Sequence, residues 1–432
     1  MKLKLYAAVA ALFLAPSITF AQDVNKLVDK ADVERIIKTL SADDMQGRGT
    51  FTPGIDKAAT FIEGEFKAAG LQPLKGSKGF RQSFSKTRVT PTDLKVTFDG
   101  TALPAESIAA STGTSFNWKG DTSIAVVNIT DEKNFRSQYS GVMRSGKKSL
   151  VVMNPSMAAI FKRIRDRAIK GGIVNNPAEQ APVVYVLSAT APKTFEVSCG
   201  VKSEELPLFN VVGMIPGKSK AAEYVVFSGH YDHLGIIKPM EGDSIANGAD
   251  DDASGTTAVI ALAKYYKKLK NNERTLIFVA FTAEEIGGYG SQYFSKQLDA
   301  DKVVAMFNIE MIGKDSKFGP NTAFITGFER SNFGSILQKN VEGTEFKFHP
   351  DPYPEQDLFY RSDNATLARL GVPAHSISTD QIDTDKLYHS VNDEFESLDV
   401  NNIVATIKAI ALGSRSIVSG KDTPTRVAKL ER

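Results

Sequence analysis

Acidic residues and histidines recur at a few places in the second half of this 432-residue chain, each close behind an apolar segment or in a later loop. In chain order they are His230, Asp232 and His233; Asp250, Asp251 and Asp252; Glu284 and Glu285; Glu310; and His389. Burying so many carboxylates together is strongly unfavourable unless cations compensate their charge. Imidazole and carboxylate ligands together suit zinc, and a carboxylate that can bridge suits a pair of ions. These residues therefore predict a metal centre.

A pair of zinc ions would define the chemistry of such a centre. Two ions about 3.5–4 Å apart polarise a scissile carbonyl and lower the pKa of a bridging water. The adjacent Glu284 and Glu285 can divide the remaining work, one as a ligand and the other as the general base. Each motif alone also fits a simpler interpretation, such as a surface Glu–Glu pair, a helix N-cap or a histidine paired with its acid. Together, on successive elements, they indicate a hydrolytic two-zinc centre.

The segments before these residues alternate between strand and helix patterns. Continuous apolar runs predict buried strands at Tyr224–Gly229, Thr275–Phe281 and Val303–Ile309. Between and after them, Gly255–Lys268 and Gly290–Gln297 are predicted as helices. This alternation predicts a three-layer α/β domain with a mainly parallel sheet. In such sheets functional residues gather at the carboxyl ends of the strands, which is where these acids and histidines stand.

Changes of pattern divide the chain into parts. The predicted parts are a signal peptide at 1–21, an N-terminal part of the α/β domain at 22–90, an inserted mixed β/α domain at 91–205, the main part of the α/β domain at 206–420 and a C-terminal tail at 421–432. The N-terminal part contains two predicted helices, Lys26–Leu40 and Asp56–Ala69. The insert combines short β-like runs with one helical stretch near Met157–Ile169, and it contains no histidine. The zinc chemistry is therefore expected outside the insert.

The N-terminus has the pattern of an export signal. Lys2 and Lys4 precede the apolar stretch Leu5–Leu14, and Thr19-Phe20-Ala21 offers a cleavage site. The apolar stretch is shorter than the ~20 residues of a membrane span. The pattern predicts a protein that is exported to the periplasm or secreted, and whose mature chain has no membrane span.

Charge and cysteine content argue against other classes of protein. The net charge is +2 and both signs are spread along the chain, whereas a nucleic-acid surface shows a clustered basic stripe. The single cysteine, Cys199, excludes an intramolecular disulfide. Its neighbours offer no context that would lower the thiol pKa, so a nucleophilic role is not expected. The sequence carries no indication of an oligomeric state.

Five segments carry the acids and histidines, namely Ser228–Gly235 (SGHYDHLG), Gly248–Gly255 (GADDDASG), Ala283–Gly287 (AEEIG), Asn308–Gly313 (NIEMIG) and Tyr388-His389. They resemble the corresponding segments of the co-catalytic zinc aminopeptidase family, which also contains glutamate carboxypeptidases, glutaminyl cyclases and the transferrin receptor ectodomain. The resemblance covers about residues 206–415 and extends to Gln46–Gly49 and Phe61–Gly70. It implies a three-layer α/β/α zinc-exopeptidase domain with a mainly parallel mixed sheet. The insert resembles a protease-associated domain only loosely.

The resemblance implies a role for each residue of the centre. The implied ligands are His230 and Glu310 for one zinc ion, Asp251 as the bridge between the two ions, and Glu285 and His389 for the second ion. Glu284 would be the general base and then the acid that protonates the leaving amine. Asp232 would be the partner that orients His230.

Two positions depart from the usual pattern of that family. Glu310 stands where relatives usually have an aspartate, and in the wider clan this position is linked to aminopeptidase versus carboxypeptidase preference. Ser362-Asp363-Asn364 stands where relatives often read Ser-Asp-His. Because that site is not a metal ligand in relatives, the second departure is expected to change contacts with the substrate.

The leading hypothesis is an exported zinc exopeptidase that removes N-terminal residues from peptides. Two alternatives are also enzymes: a carboxypeptidase, and a glutaminyl cyclase-like acyltransferase, which in relatives works with a single zinc ion. A third alternative is a non-catalytic binding ectodomain, in which the metal ligands are typically eroded. Here all five positions retain side chains that can bind zinc.

Overall fold

The computed structural model describes residues 24–240 and 242–430. The predicted signal peptide at 1–21 lies outside these residues. The chain divides into two compact units: a main unit, which runs up to Ser83 and resumes at Leu208, and an inserted unit, Phe84–Pro207. Within the described ranges, no helix is both long and apolar enough to cross a membrane.

The helices and shorter helical turns are as follows. The α-helices are α1 (Lys30–Leu40), α2 (Pro53–Ala69), α3 (Glu132–Ser145), α4 (Ala158–Lys170), α5 (Gly255–Leu269), α6 (Tyr289–Gln297), α7 (Phe333–Asn340), α8 (Asn364–Ala368), α9 (Val400–Gly413) and α10 (Arg415–Val418). Short helical turns lie at Asp43–Arg48, Ala105–Ser107, Pro155–Met157, Pro177–Glu179, Ala249–Ser254, Ala300–Lys302, Phe328–Arg330, Pro354–Gln356, Leu358–Tyr360 and Phe395–Ser397.

The strands are distributed over both units. They are β1 (Arg81–Phe98), β2 (Thr101–Ala102), β3 (Ile108–Ser111), β4 (Phe116–Lys119), β5 (Ala125–Ile129), β6 (Ser149–Met153), β7 (Gly172–Val174), β8 (Val183–Leu187), β9 (Phe195–Ile215), β10 (Lys220–His230), β11 (Gly235–Met240), β12 (Asp243–Ala246), β13 (Arg274–Phe281), β14 (Val303–Ile309), β15 (Thr322–Ile325), β16 (Lys347–Pro350) and β17 (Ala374–Ser378).

The main unit is built on a mixed sheet with the strand order β16-β15-β17-β14-β10-β13-β9. The central strands β17, β14, β10 and β13 run parallel, so their carboxyl ends meet at one edge. Strand β9 pairs antiparallel with β13, and β15 pairs antiparallel with β17. The predicted fold class, an α/β domain with a mainly parallel mixed sheet, is confirmed.

Aromatic side chains fill the middle of this sheet. Phe227 lies between Phe278 and Phe307 on the neighbouring strands, with ring centroids 5.3 and 4.8 Å apart, because the strand registers align the three residues. All residues of β13 and β14 are buried. This burial explains why most residues of both strands are apolar, since helices cover a parallel sheet on both faces.

Two N-terminal helices pack into the same core. Helix α1 begins after Asp29, whose carboxylate accepts a backbone N–H of the first turn. Helix α2 begins with Pro53 and ends at Gly70, which takes the left-handed conformation (φ 78°). Each helix places a row of apolar residues, such as Ile36 and Phe66, in the main core. Their packing fixes the turn Asp43–Arg48 between them.

The inserted unit contains a four-stranded sheet with the order β3-β8-β6-β5. Strands β5, β6 and β8 are parallel, and β3 is antiparallel to β8. Two helices, α3 and α4, belong to this unit, whereas the sequence pattern predicted only one helical stretch. The prediction missed α3, although Phe135, Tyr139 and Val142 follow one another at helical spacing and pack against the core of this unit.

Strands β1 and β9 are longer than any strand that the sequence pattern predicted. Each continues from one unit into the other, so the units divide inside strands, at residues 83/84 and 207/208. The expected domain limits at 91 and 205 lie a few residues away. A division inside a strand leaves no Gly- or Pro-rich linker that a sequence pattern could detect.

Candidate metal centre

One group of metal-binding side chains forms where β10 and β14 end. The Nε2 atom of His230 lies 3.2 Å from Asp251 Oδ1 and 3.0 Å from Glu310 Oε1. One ligand atom from each of the three residues lies within 4.8 Å of the others. His230 is the last residue of β10 and Glu310 directly follows β14, so parallel neighbouring strands bring them together.

A second group lies on the other side of Asp251. The Nε2 atom of His389 is 3.2 Å from Asp251 Oδ2 and 3.1 Å from Glu285 Oε2. His233 belongs to the same group, because its Nδ1 atom is 2.8 Å from Glu285 Oε1 and 3.7 Å from Asp251 Oδ2. The two oxygens of Asp251 therefore face two separate groups of ligands.

The arrangement of lone pairs fits a pair of cations. Nδ1 of His230 donates to the backbone carbonyl oxygen of Asp232 at 3.0 Å, which leaves the Nε2 lone pair facing the carboxylates. In the second group, the buried Nε2 of His233 has no hydrogen-bond partner among the described residues, while Nδ1 of the same ring faces Oε1 of Glu285 at 2.8 Å. Buried polar atoms are normally paired, so the unpaired Nε2 atom indicates a group that binds at this ring. Zinc matches this set of imidazole and carboxylate donors.

The carboxylates of the centre raise the pKa of two of its histidines. Burial opposes the charged form of His230, but Glu310 and Asp251 outweigh it and raise the pKa of His230 well above its usual value. For His389 burial has the same effect, yet Asp251 and Glu285 raise its pKa to about 10. Metal ions compete with these protons for the same imidazole nitrogens. The site therefore stabilises positive charge of either kind.

Asp251 is held by its own loop and by Asp393. The peptide bond between Asp251 and Asp252 is cis. The carboxylate of Asp252 accepts the backbone N–H groups of His230 (3.0 Å) and Met311 (3.1 Å), which joins the ends of β10 and β14 to this loop. Asp393 accepts the N–H of Asp251 at 3.0 Å. These hydrogen bonds thus fix Asp251 from both sides.

Asp232 differs from its predicted role. The sequence pattern predicted that its carboxylate would orient His230, but that carboxylate lies 3.8 Å from Nδ1, and the backbone carbonyl of the same residue takes the hydrogen bond. The carboxylate instead accepts the N–H groups of Glu284 (3.0 Å) and Glu285 (3.3 Å). It points to these residues because their N–H groups begin the turn after β13 and need acceptors. Asp232 therefore positions both halves of the centre.

Glu284 lies beside the centre without joining either group of ligands. It lines a cavity together with Asp251, Glu285, Glu310 and His389. The apolar wall of the cavity includes Met311, Phe324, Leu358 and Ile382. Burial, followed by the nearby charge of Glu310, raises the pKa of Glu284 well above its usual value. A raised pKa suits a carboxylate that accepts and returns a proton near neutral pH.

The two departures from the family pattern have different surroundings. Oε2 of Glu310 accepts a hydrogen bond from Ser362 Oγ at 2.5 Å, so the longer side chain is anchored at this oxygen while Oε1 faces His230 Nε2 at 3.0 Å. Asn364 is buried, and its amide donates to the carbonyl oxygens of Phe359 (2.9 Å) and Ala374 (3.2 Å). Asn364 thus links a turn to β17, and the expected change in substrate contacts stays a prediction.

His233 and His375 both lie outside the predicted set of ligands. The structure places His233 at the metal centre and His375 in the core. The sequence placed His233 among the acids and histidines of the predicted centre but outside the five implied ligands; its position three residues after His230 was the available signal. His375 is a core residue: its Nδ1 donates to Thr326 O at 2.8 Å, and Nε2 accepts from Ser331 Oγ at 2.7 Å. A histidine with both nitrogens bonded leaves no lone pair for a metal.

A third acidic cluster, formed by Asp250, Asp380 and Asp385, already contains a cation. The ammonium of Lys314 lies 3.3 Å from Asp250 Oδ2 and 2.7 Å from Asp385 Oδ2. Because this lysine compensates the carboxylates, we assign no metal to the cluster.

The fold and the site define a class. A mainly parallel α/β sheet with two groups of imidazole and carboxylate ligands at its carboxyl edge, joined by one aspartate, is the arrangement of a zinc-exopeptidase domain. Residues 210–413 match the sequence profile of "Peptidase family M28". The match confirms the resemblance that the sequence motifs indicated.

Individual relatives agree with this assignment. Over 216 residues the chain is 28% identical to "Leucine aminopeptidase 1" of Ajellomyces capsulatus, a match that covers 46% of this chain and 54% of the relative. The chain thus spans about half the length of the curated relatives that it matches. Over 109 residues it is 34% identical to "Probable zinc metalloprotease" of Leptosphaeria maculans, which covers 25% of each chain.

Solved structures support the fold. An aminopeptidase from Aneurinibacillus sp. strain AM-1 superposes with a TM-score of 0.56 at 18% identity, covering 95% of this chain and 97% of that one. BSAP, a zinc aminopeptidase from Bacillus subtilis, gives a TM-score of 0.55 at 15% identity, covering 90% and 95%. At these identities the likeness concerns the fold alone.

Proposed function

We propose that this protein is an exported zinc-dependent exopeptidase that removes N-terminal residues from peptides. The observation that carries the proposal is the position of Asp251, whose two oxygens face two separate groups of metal ligands while the unligated Glu284 lines the same cavity. The relatives named as leucine aminopeptidases support the direction of cleavage. Export rests on the sequence pattern of residues 1–21, and N-terminal sequencing of the mature chain tests it.

In this proposal His230 and Glu310 would hold one zinc ion, and Glu285 and His389 would hold the second. Asp251 would bind both ions. When bound, the ions supply Lewis acidity, which polarises the scissile carbonyl and lowers the pKa of a water at the site. The remaining steps belong to the protein. Glu284 accepts the proton of the attacking water and then delivers it to the nitrogen of the leaving amine. Asp232 holds the backbone of Glu284, so the base stays in place while its charge changes.

The cavity supports a peptide substrate. Its lining combines the charged residues of the centre with apolar side chains, among them Met311, Phe324, Leu358 and Ile382. A peptide end places a charged terminus and a scissile carbonyl next to a side chain, which matches this combination. We infer that the side chain of the terminal residue binds against the apolar wall.

The first test is metal content together with activity. We expect two zinc ions per chain by elemental analysis, because Asp251 serves both groups of ligands. Removal of the ions with a chelator should abolish hydrolysis of aminoacyl substrates, and added zinc should restore it. N-acetylated versions of the same peptides are the matched control and should not be cleaved.

The alternatives predict different results in that test. Cleavage of N-acetylated peptides from the carboxyl end would indicate a carboxypeptidase. One zinc ion per chain, with conversion of an N-terminal glutamine to pyroglutamate and release of ammonia, would indicate an acyltransferase. A protein that folds stably but binds no zinc would contradict the proposal as a whole.

Ser362 provides a test of the first group of ligands. Its hydroxyl donates to Glu310 Oε2, so Ser362→Ala removes the hydrogen bond that orients this ligand. Loss of such a supporting contact costs about 10–100-fold in metal affinity. We expect that loss for one of the two ions, measured by competition with a chromogenic chelator. Ser295→Ala, which changes a buried serine in α6, is the control and should leave both affinities unchanged.

A further inference from the structure

We propose that Arg48 is a positioning residue of the metal centre, which sets the spacing between the loop of His230 and the loop of Asp251. The proposal rests on the proposed function, because it concerns the same centre. Arg48 lies in the segment Gln46–Gly49, which the sequence singles out and which the mechanism above does not use.

The guanidinium of Arg48 is completely buried and connects three parts of the main unit. Nε donates to Tyr231 O at 2.9 Å, next to the ligand His230. Nη2 donates to Gly248 O at 2.8 Å, and Nη1 donates to Asn247 O, both at the start of the loop that carries Asp251. These three acceptors are all backbone carbonyl oxygens. One side chain thus fixes the main chain on both sides of the centre.

The geometry of arginine explains why this residue is used. A guanidinium has five N–H donors in a rigid planar fork, whereas lysine has three donors on a flexible stem. Besides the carbonyls at 231, 247 and 248, Nη1 donates to Leu40 O at 2.7 Å, at the end of α1. A rigid fork can hold carbonyls from two loops at a fixed distance from each other. That distance decides how far His230 lies from Asp251.

The backbone of Arg48 contributes to the same loops. Its carbonyl oxygen accepts the N–H of His233 at 3.2 Å. Gln46, Gly47 and Arg48 all have positive φ, at 52°, 61° and 50°. A Cβ on Gly47 would lie 2.3 Å from Ala246 O, so the segment packs directly against the strand that leads into the Asp251 loop. Such a conformation is unfavourable for residues other than glycine, and the contacts of Arg48 compensate for it.

Charge gives Arg48 a second effect on the centre. The negative charges of Asp251, Asp393, Asp252 and Asp232 act on the guanidinium and favour its charged form. A buried cation among these carboxylates lowers the cost of bringing them together before zinc binds. The arginine therefore preorganises the ligands in the metal-free protein, and its removal should weaken zinc binding even where the fold persists.

The test compares zinc affinity and thermal stability in three variants of the full mature chain. Arg48→Lys keeps the charge but loses the fork, and Arg48→Gly suits the positive φ of this position. Arg274→Lys is the matched control, because Arg274 is also fully buried and donates to backbone carbonyls of Ile417 and Asp422, away from the centre. Zinc dissociation constants are measured by chelator competition, and melting temperatures with and without zinc.

For both Arg48 variants we expect the dissociation constant of at least one zinc ion to rise by about 10–100-fold, with the larger effect in Arg48→Gly. The rise in melting temperature on adding zinc should shrink accordingly. Guanidinium ion at millimolar concentration should restore part of the zinc affinity of Arg48→Gly, a rescue that a purely structural role does not predict. Arg274→Lys should lower the melting temperature equally with and without zinc and leave the affinity unchanged.

Two results would overturn the inference. One is wild-type zinc affinity in Arg48 variants that are merely less stable. The other is failure of both variants to fold while Arg274→Lys folds, since that would assign Arg48 to folding alone. A wild-type chain that binds no zinc would instead contradict the proposed function, so the two failures are distinguishable.

Discussion

Replacing Glu284 by glutamine should lower kcat for an aminoacyl substrate by about 10²–10⁴-fold, the usual contribution of a general base. Zinc content should stay at two ions per chain, because Glu284 belongs to neither group of ligands. Glutamine has nearly the same shape as glutamate but cannot accept the proton of the attacking water. The substitution therefore removes the proton transfer and leaves the metal centre intact.

The surroundings of Glu284 make this variant structurally mild. Its backbone N–H donates to Asp232, and the substitution does not touch that bond. The raised pKa of Glu284 reflects the cost of a buried negative charge, so a neutral side chain should not destabilise the protein. A normal melting temperature, normal zinc content and a normal KM together with a low kcat would assign the lost activity to chemistry.

The neighbouring glutamate is the matched control. Glu285→Gln changes a residue of identical size one position along the chain, but Glu285 lies 3.1 Å from the Nε2 atom of the ligand His389. This variant should lose zinc as well as activity. Wild-type turnover in Glu284→Gln would show that another group acts as the base.

The sequence predicted the parts of the site that follow directly from the strands. His230 and Glu310 stand at the carboxyl ends of buried parallel strands, so their meeting point is determined once the strands are recognised. The five ligand candidates are brought into two groups around Asp251. The order of motifs along the chain was enough to predict these residues, because each motif belongs to a regular element or to the loop directly after one.

The features of the site that the sequence did not predict are the side-chain directions and contacts that depend on the course of a loop. His233 and Asp232 are neighbours, yet the ring of His233 enters the centre while the carboxylate of Asp232 points to the backbone of Glu284 and Glu285. No periodicity determines such directions. Arg48 is separated from its acceptor Gly248 by 200 positions in the chain, so its contact exists only in the folded structure. The long strand β9 was missed because its first half alternates irregularly between buried and exposed residues.

Replacing Asp251 by asparagine should release both zinc ions. Oδ1 of this residue faces His230 at 3.2 Å and Oδ2 faces His389 at 3.2 Å, so each oxygen serves a different group. An amide keeps one of these oxygens, replaces the other with a donor, and removes the negative charge that both ions share. We expect fewer than one zinc ion per chain after buffer exchange, and a loss of activity at least as large as that of Glu284→Gln.

Two further variants are needed to interpret the number of zinc ions bound per chain. Asp250→Asn changes the adjacent buried aspartate, which pairs with Lys314 instead of the ligands, and should keep two ions. His389→Ala removes a ligand of the second group and should leave one ion per chain. If Asp251 served a single site, Asp251→Asn would also retain one ion. A drop from two ions to nearly none in Asp251→Asn, beside a drop from two to one in His389→Ala, is therefore the pattern that only a shared ligand produces.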